Sequence, residues 1–209
     1  MEKIKKNRKI CSMCYTVVNY KNEVKIMKHK KTNAARILDK LSIKYEMKEY
    51  EVDESDLSAV HVAESTGMPM EMVYKTLVVK GDKTGVIMAV IQGDLELNLK
   101  ALAAVSGNKR VEMVHLKEVF ALTGYIRGGC SPLGAKKAYP VYIDKRAEAQ
   151  ARIAVSAGIR GAQLILAPND LLKATNGIFA AITASSTSLM LSLANDKLTL
   201  KTKKPYENS

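Results

Sequence analysis

Four of the 12 glycines fall between Gly124 and Gly134, in the stretch Gly-Tyr-Ile-Arg-Gly-Gly-Cys-Ser-Pro-Leu-Gly. An ordinary hairpin needs one or two. Glycines remove the Cβ atoms that keep a ligand away from the main chain, and Pro132 sets its own φ. Successive N–H groups at Gly128, Gly129, Cys130 and Ser131 can therefore converge on a carbonyl or phosphate oxygen. A wide glycine-rich turn between two strands would have the same composition. Lys75 is a second candidate, because it stands inside the apolar run 73–80. A lysine there either snorkels to the rim or holds an anion. Cys130 offers a third chemistry, a thiol nucleophile with His61 or His115 as its base, although a thiol in a glycine turn also serves as a small filler.

Other chemistries lack their residues. His29, His61 and His115 fall in different segments without an i,i+4 His or Glu-His partner, so neither a metal site nor a cofactor is expected. Cys11 and Cys14 have a ligand-like spacing but no second pair to complete a site. The glycine loop has no Gly-Lys-Ser/Thr ending and no following amphipathic helix to hold a phosphate, which removes the P-loop and dinucleotide readings.

The elements that must hold these residues follow from caps and periodicity. Thr32 caps a helix with Ala35, Leu38 and Leu41 on one face. Residues 43–52 alternate as a half-buried strand, and Ser58 starts a second helix that Gly67 ends. Residues 73–80 and 86–92 form a hairpin whose continuous apolar character places both strands inside a sheet. Asn98 caps a third helix closed by Gly107, residues 110–114 make a short strand, and residues 115–122 a helix ended by Gly124. After the glycine loop come strands at 139–143, 151–155 and 162–167, a turn at 158–161, a short helix opened by Pro168 and a last strand at 179–183. This order is mixed α/β without regular βαβ alternation.

A chain of 209 residues with 47% hydrophobic content can bury one good core. No apolar run reaches the roughly 20 residues of a membrane helix, and the N-terminus lacks the apolar segment of a secretory signal. With three cysteines suited to a reducing compartment, a cytoplasmic protein without a membrane partner is expected. The net charge of +12 suggests nucleic acid until it is divided along the chain. Residues 1–31 hold 10 Lys/Arg against 2 Glu, whereas residues 32–184 hold 19 basic and 17 acidic side chains. Inside that span residues 72–184 carry +7, so a basic face from the later half can meet phosphates. Residues 1–31 show no sustained period and read as a basic flexible extension, from which a start at Met27 would remove nothing the fold needs. Residues 185–209 read as a flexible tail.

Taken together, Tyr-Lys-Thr-Leu-Val-Val at 74–79, Leu-Asn-Leu-Lys at 97–100, the glycine loop, Ser-Ala-Gly-Ile-Arg-Gly at 156–161 and Ala-Pro-Asn-Asp at 167–170 resemble the YbaK/EbsC family. Its members are free-standing relatives of the editing domain inserted in bacterial prolyl-tRNA synthetases. The resemblance covers residues 32–183 in one order. It implies a single domain built on a mixed, mostly antiparallel sheet or partial barrel with surrounding helices. It also implies an aminoacyl-tRNA deacylase of translation that removes cysteine from tRNA(Pro), with prolyl-tRNA synthetase as partner and no role for DNA. In that family the lysine matched by Lys75 holds the terminal adenosine, and the loop matched by Gly128 to Pro132 holds the aminoacyl carbonyl. Tyr50, Ser156, Arg160 and Asp170 match residues that border the family's pocket. The resemblance further implies that the bound cysteine's own thiol attacks its ester, which explains a site without a base. Alanyl-tRNA(Pro) is the rival substrate, and a non-catalytic basic RNA-binding module the rival class.

Overall fold

The computed structural model describes the main chain of residues 16–20 and 23–27 and the whole of residues 31–184. The chain divides into two units, Met1–Lys31 and Thr32–Ser209. In the first, β1 (Thr16–Tyr20) and β2 (Glu23–Met27) pair antiparallel, where the lack of a period predicts no element. Cys11, Cys14, His29 and the tail 185–209 lie outside the described residues.

Side-chain caps start three helices of the second unit where the sequence predicts them. Thr32 accepts the Ala35 N–H before α1 (Asn33–Lys40), and Ser58 accepts the His61 N–H before α2 (Ala59–Thr66). Asn98 accepts the Ala101 N–H before α3 (Leu99–Val105). The strand expected at 43–52 shortens to β3 (Glu46–Glu49), because the Ile43 N–H is already engaged by the Leu38 carbonyl in finishing α1. The hairpin is β4 (Tyr74–Gly81) and β5 (Gly85–Gln92), followed by β6 (Val111–Met113) and α4 (Leu116–Thr123). Then come β7 (Val141–Asp144), β8 (Ile153–Ser156), β9 (Ala162–Leu166), α5 (Pro168–Thr175) and β10 (Ile178–Ala180). Two 3₁₀ turns, Met70–Met72 and Lys145–Ala149, are not foreshadowed by periodicity. The glycine loop runs from α4 to β7, and so is not a turn between two strands.

One sheet has the order β10-β7-β5-β4-β6 and the other β3-β9-β8. The pairs β5–β7 and β7–β10 are parallel and the rest antiparallel, so β4 and β5 are interior strands as their composition predicts. The core lies where Val78, Met88, Val90 and Ile143 of the first sheet meet Ile153, Val155, Leu164 and Leu166 of the second, with Leu38 and Leu171 added by α1 and α5. The other face of the large sheet buries Val79, Ile87, Ala89 and Ile91 against Leu102 of α3. Burial on both faces is what a continuous apolar run encodes. A parallel bridge between Val73 and Ala154 joins the two sheets without closing a barrel. No described helix is long and apolar enough to cross a membrane.

Candidate functional site

β4 is paired along only part of its outer edge. Its last residues pair with β6, and the Val78 carbonyl accepts the Val114 N–H at 3.0 Å. Before Val78 that edge faces β8, which β4 approaches at the Val73–Ala154 bridge. Alternate residues of an antiparallel strand turn their main chain to the same edge, so Thr76 presents its N–H and C=O as Val78 does. The split holds a cavity of about 370 Å³, inside the roughly 300–1,000 Å³ of small-molecule sites. Leu57 and Val62 wall it on one side, Leu116 and Val119 of α4 on another, and Arg127, Gly128 and Cys130 close it beside Ser156 and Gln163.

Lys75 lines this cavity from β4. Its Nζ donates to the Gly93 carbonyl at 2.7 Å, which leaves two of the three ammonium donors for a ligand. Burial pushes the ammonium below the usual lysine range, while Asp94 and Glu96 act in the opposite direction. The charge is thus tethered at the cavity wall.

The glycine loop divides into a ligand-facing part and a supporting part. Gly128 and Cys130 line the cavity. Gly128 has φ +81°, and a Cβ there would meet Leu57 at 3.3 Å, so glycine serves both the turn and the close packing. Gly129 is buried behind it: its N–H donates to the Ile126 carbonyl at 3.0 Å, and its missing Cβ leaves room for the main chain of Ile159 and Arg160. Ser131 is 0% exposed and accepts the Leu133 N–H at its hydroxyl, a turn-forming role. Pro132 lines a separate cavity with Ile37 and Tyr139. The N–H groups of Gly128, Cys130 and Ser131 have no hydrogen-bond partner among the described residues. Of these three residues, Gly128 and Cys130 line the cavity.

Cys130 is poorly suited to attack. Burial pushes its thiol up to about 12, so it is protonated at neutral pH. Neither histidine lines the cavity, and the His61 ring pairs with Ser65 at 3.2 Å.

The remaining candidates separate. Ser156 lines the cavity and accepts the Gly158 N–H at 3.2 Å. Arg160 stands outside as a brace: its Nε donates to the Arg127 carbonyl at 3.0 Å and its Nη1 to Glu54 at 3.3 Å. Tyr50 does not line the cavity. It packs on the cluster around Val62 and Ile165, and its N–H donates to the Gly161 carbonyl. Asp170 lies in the first turn of α5 and does not line the cavity either.

Composition and spacing also pass over residues that matter. Tyr74, Thr76 and Gln163 line the cavity, and each has a buried side-chain oxygen without a hydrogen-bond partner among the described residues. Sequence carries little signal for them, because tyrosine and threonine belong in strands and Gln163 gains its meaning from what the fold brings opposite it. Tyr125 locks the loop to the 156–161 turn, since its hydroxyl donates to the Leu133 carbonyl and its ring lies 3.0 Å from where a Gly158 Cβ would be. Tyr125→Phe leaves that buried carbonyl without a donor and is expected to cost about 1–3 kcal/mol in urea unfolding. An unchanged midpoint would show that the loop does not depend on this bond.

A family model of the aminoacyl-tRNA editing domain matches residues 54–174, more than half of the chain. The Enterococcus faecalis (strain ATCC 700802 / V583) protein named "Putative Cys-tRNA(Pro)/Cys-tRNA(Cys) deacylase EbsC" is 52% identical over 153 residues, 73% of this chain and 93% of that protein. A proline tRNA ligase of Thermosipho africanus (strain TCF52B) is 37% identical over 76 residues, 36% of this chain and 13% of the ligase. The crystal structure of "a putative trans-editing enzyme for prolyl tRNA synthetase" has the same fold, with a TM-score of 0.62 and 24% identity over 73% of this chain and 98% of that one. The matched span contains Lys75, the glycine loop and the Ser156–Gln163 wall of the cavity, and the chain belongs to the aminoacyl-tRNA editing domain family.

Proposed function

We propose that the protein deacylates Cys-tRNA(Pro) in trans, using the cysteine's own thiol as nucleophile. The observation that carries this is one cavity lined by a tethered cation, Lys75, and by loop residues whose N–H groups are unpaired among the described residues, with no histidine or carboxylate in its lining. An ester needs a nucleophile and stabilisation of the negative charge that develops on its carbonyl oxygen. Gly128 and Cys130 supply the second. Lys75 holds the terminal nucleotide, whose phosphate and ribose oxygens suit an ammonium.

The substrate supplies the first. Its sulfur attacks the ester carbonyl carbon, a C–S bond forms, and the C–O bond to the ribose breaks. The thiol proton passes to the ribose oxygen, which leaves free tRNA and a cyclic thioester that water opens to cysteine. Held in the cavity, the thiol gains the effective concentration of an intramolecular group. Selectivity then follows from chemistry as well as size, because a pocket that only excludes one methylene discriminates by about 1–3 kcal/mol. The similarity to a proline tRNA ligase supports tRNA(Pro) as the carrier and a synthetase as the partner.

Purified protein incubated with Cys-tRNA(Pro) and EDTA is expected to release free tRNA, and Ala-tRNA(Pro) in parallel is expected to persist. Persistence of both would remove the reading. Faster loss of alanine would keep the deacylase but replace its mechanism, since alanine has no thiol.

A further inference from the structure

The small sheet contributes a buried polar side chain that the proposed cleavage leaves unused. Gln163 stands in the run Ala-Gln-Leu-Ile-Leu of β9 and is only 5% exposed. It is the direct partner of Ser156 across the β8–β9 ladder, so both side chains leave the same face of the sheet. Both line the cavity with Lys75. Gln163 Oε1 is buried and accepts no hydrogen bond among the described residues, a condition that native interiors rarely leave unanswered.

Oε1 is an acceptor, which selects among the groups of an aminoacyl ester. Phosphates and the ester carbonyl offer only lone pairs and are served by Lys75 and the loop N–H groups. The thiol must give up its proton during cleavage. Of the donors that remain, the vicinal ribose hydroxyl and the adenine amino group are neutral, whereas the α-ammonium brings three N–H donors and a charge that strengthens each bond. The same cavity has further acceptors for it in the Thr76 main-chain carbonyl at the open edge of β4 and the hydroxyl of Ser156.

We propose that Gln163 binds the α-ammonium of the aminoacyl group and so restricts the pocket to esters with a free amino end. The proposal rests on the deacylase reading above. Its consequence is exclusion of N-acylated esters: a peptidyl-tRNA or an N-blocked aminoacyl-tRNA leaves Gln163 without a donor of the right charge and shape. Sites built to bond a polar substrate group reject analogues that lack it far more strongly than apolar pockets reject a methylene.

The experiment compares Cys-tRNA(Pro) with N-acetyl-Cys-tRNA(Pro) for wild type, Gln163→Leu and Gln163→Glu. Wild type is expected to prefer the free amine by about 100-fold or more in kcat/KM. Gln163→Leu should lose most of that preference by slowing the free-amine substrate far more than the N-acetyl one, and Gln163→Glu, which keeps an acceptor, should retain it. Equal losses on both esters, or a preference unaltered in Gln163→Leu, would overturn the proposal. If wild type cleaves neither ester, the deacylase reading fails, and the proposal is decided by binding instead. Calorimetry with the non-hydrolysable 3′-amide of cysteinyl-adenosine should then show tighter binding than with its N-acetyl form, and equal affinities would overturn it.

Discussion

Lys75→Ala is expected to lower kcat/KM for Cys-tRNA(Pro) roughly 10- to 150-fold, while Cys130→Ala stays within about twofold of wild type. The first figure is the loss of a charge-assisted hydrogen bond to substrate, about 1.5–3 kcal/mol, converted at about 1.4 kcal/mol per tenfold. Lys75→Met, which keeps the aliphatic stem, should lose as much as Lys75→Ala, because the tethered charge and not its packing holds the ligand. Since burial places the folded-state pKa of Lys75 below its unfolded value, the cation lowers stability at neutral pH, and this penalty fades as pH rises through the folded pKa. Wild-type activity should therefore fall on the alkaline side earlier than an ordinary lysine would dictate, and Lys75→Met should lack that limb. Cys130 behaves differently because its thiol, pushed up to about 12 by burial, holds almost no thiolate at working pH. Removing its sulfur leaves the Cys130 N–H in place. An inactive Cys130→Ala beside an active Lys75→Ala would move the assignment to cysteine nucleophilic catalysis.

What the sequence makes legible here is local. Thr32, Ser58 and Asn98 each sit three residues before the N–H they accept, so helix starts could be placed from neighbouring residues alone. The β4–β5 hairpin was legible because burial on both faces leaves an unbroken apolar run. Lys75 stood out against that run. Thr76 did not, because threonine belongs in strands, and its exposure to the cavity depends on where β6 stops pairing with β4. That is a tertiary fact. Gln163 is similar: it becomes informative only when β8 brings Ser156 opposite and no donor arrives for Oε1. The glycine loop was recognised as a place of close approach, yet composition does not say what approaches. For Gly128 it is Leu57, and for Gly129 the main chain of Ile159 and Arg160. The β1–β2 pair was hidden by lysines that obscured the β-branched Val17, Val18, Val24 and Ile26.

Gly93→Ala is expected to inactivate the protein although Gly93 does no chemistry. Its N–H donates to the Val73 carbonyl at 2.8 Å and its carbonyl accepts Lys75 Nζ, so it fixes the position of the cation. A Cβ at this position would lie 2.2 Å from Ala59 Cβ and 2.7 Å from Met70 Cε. The methionine end can swing away. Ala59 cannot, because it opens α2, whose start is pinned by the Ser58 cap and whose neighbours Leu57 and Val62 wall the cavity. Relief must therefore separate α2 from the end of β5, at an overpacking cost of about 1–3 kcal/mol. A displacement of about 1 Å at Lys75 is enough to lower the rate roughly 100-fold. Ala59→Gly removes the carbon that clashes and costs about 0.5–1 kcal/mol of helix stability. The double variant Ala59→Gly/Gly93→Ala should thus recover most of the deacylation lost in Gly93→Ala while remaining less stable than wild type. Measuring kcat/KM and urea unfolding on all three variants separates the two effects. A double variant as inactive as Gly93→Ala would show that Lys75 is not placed through the contact between Ala59 and Gly93.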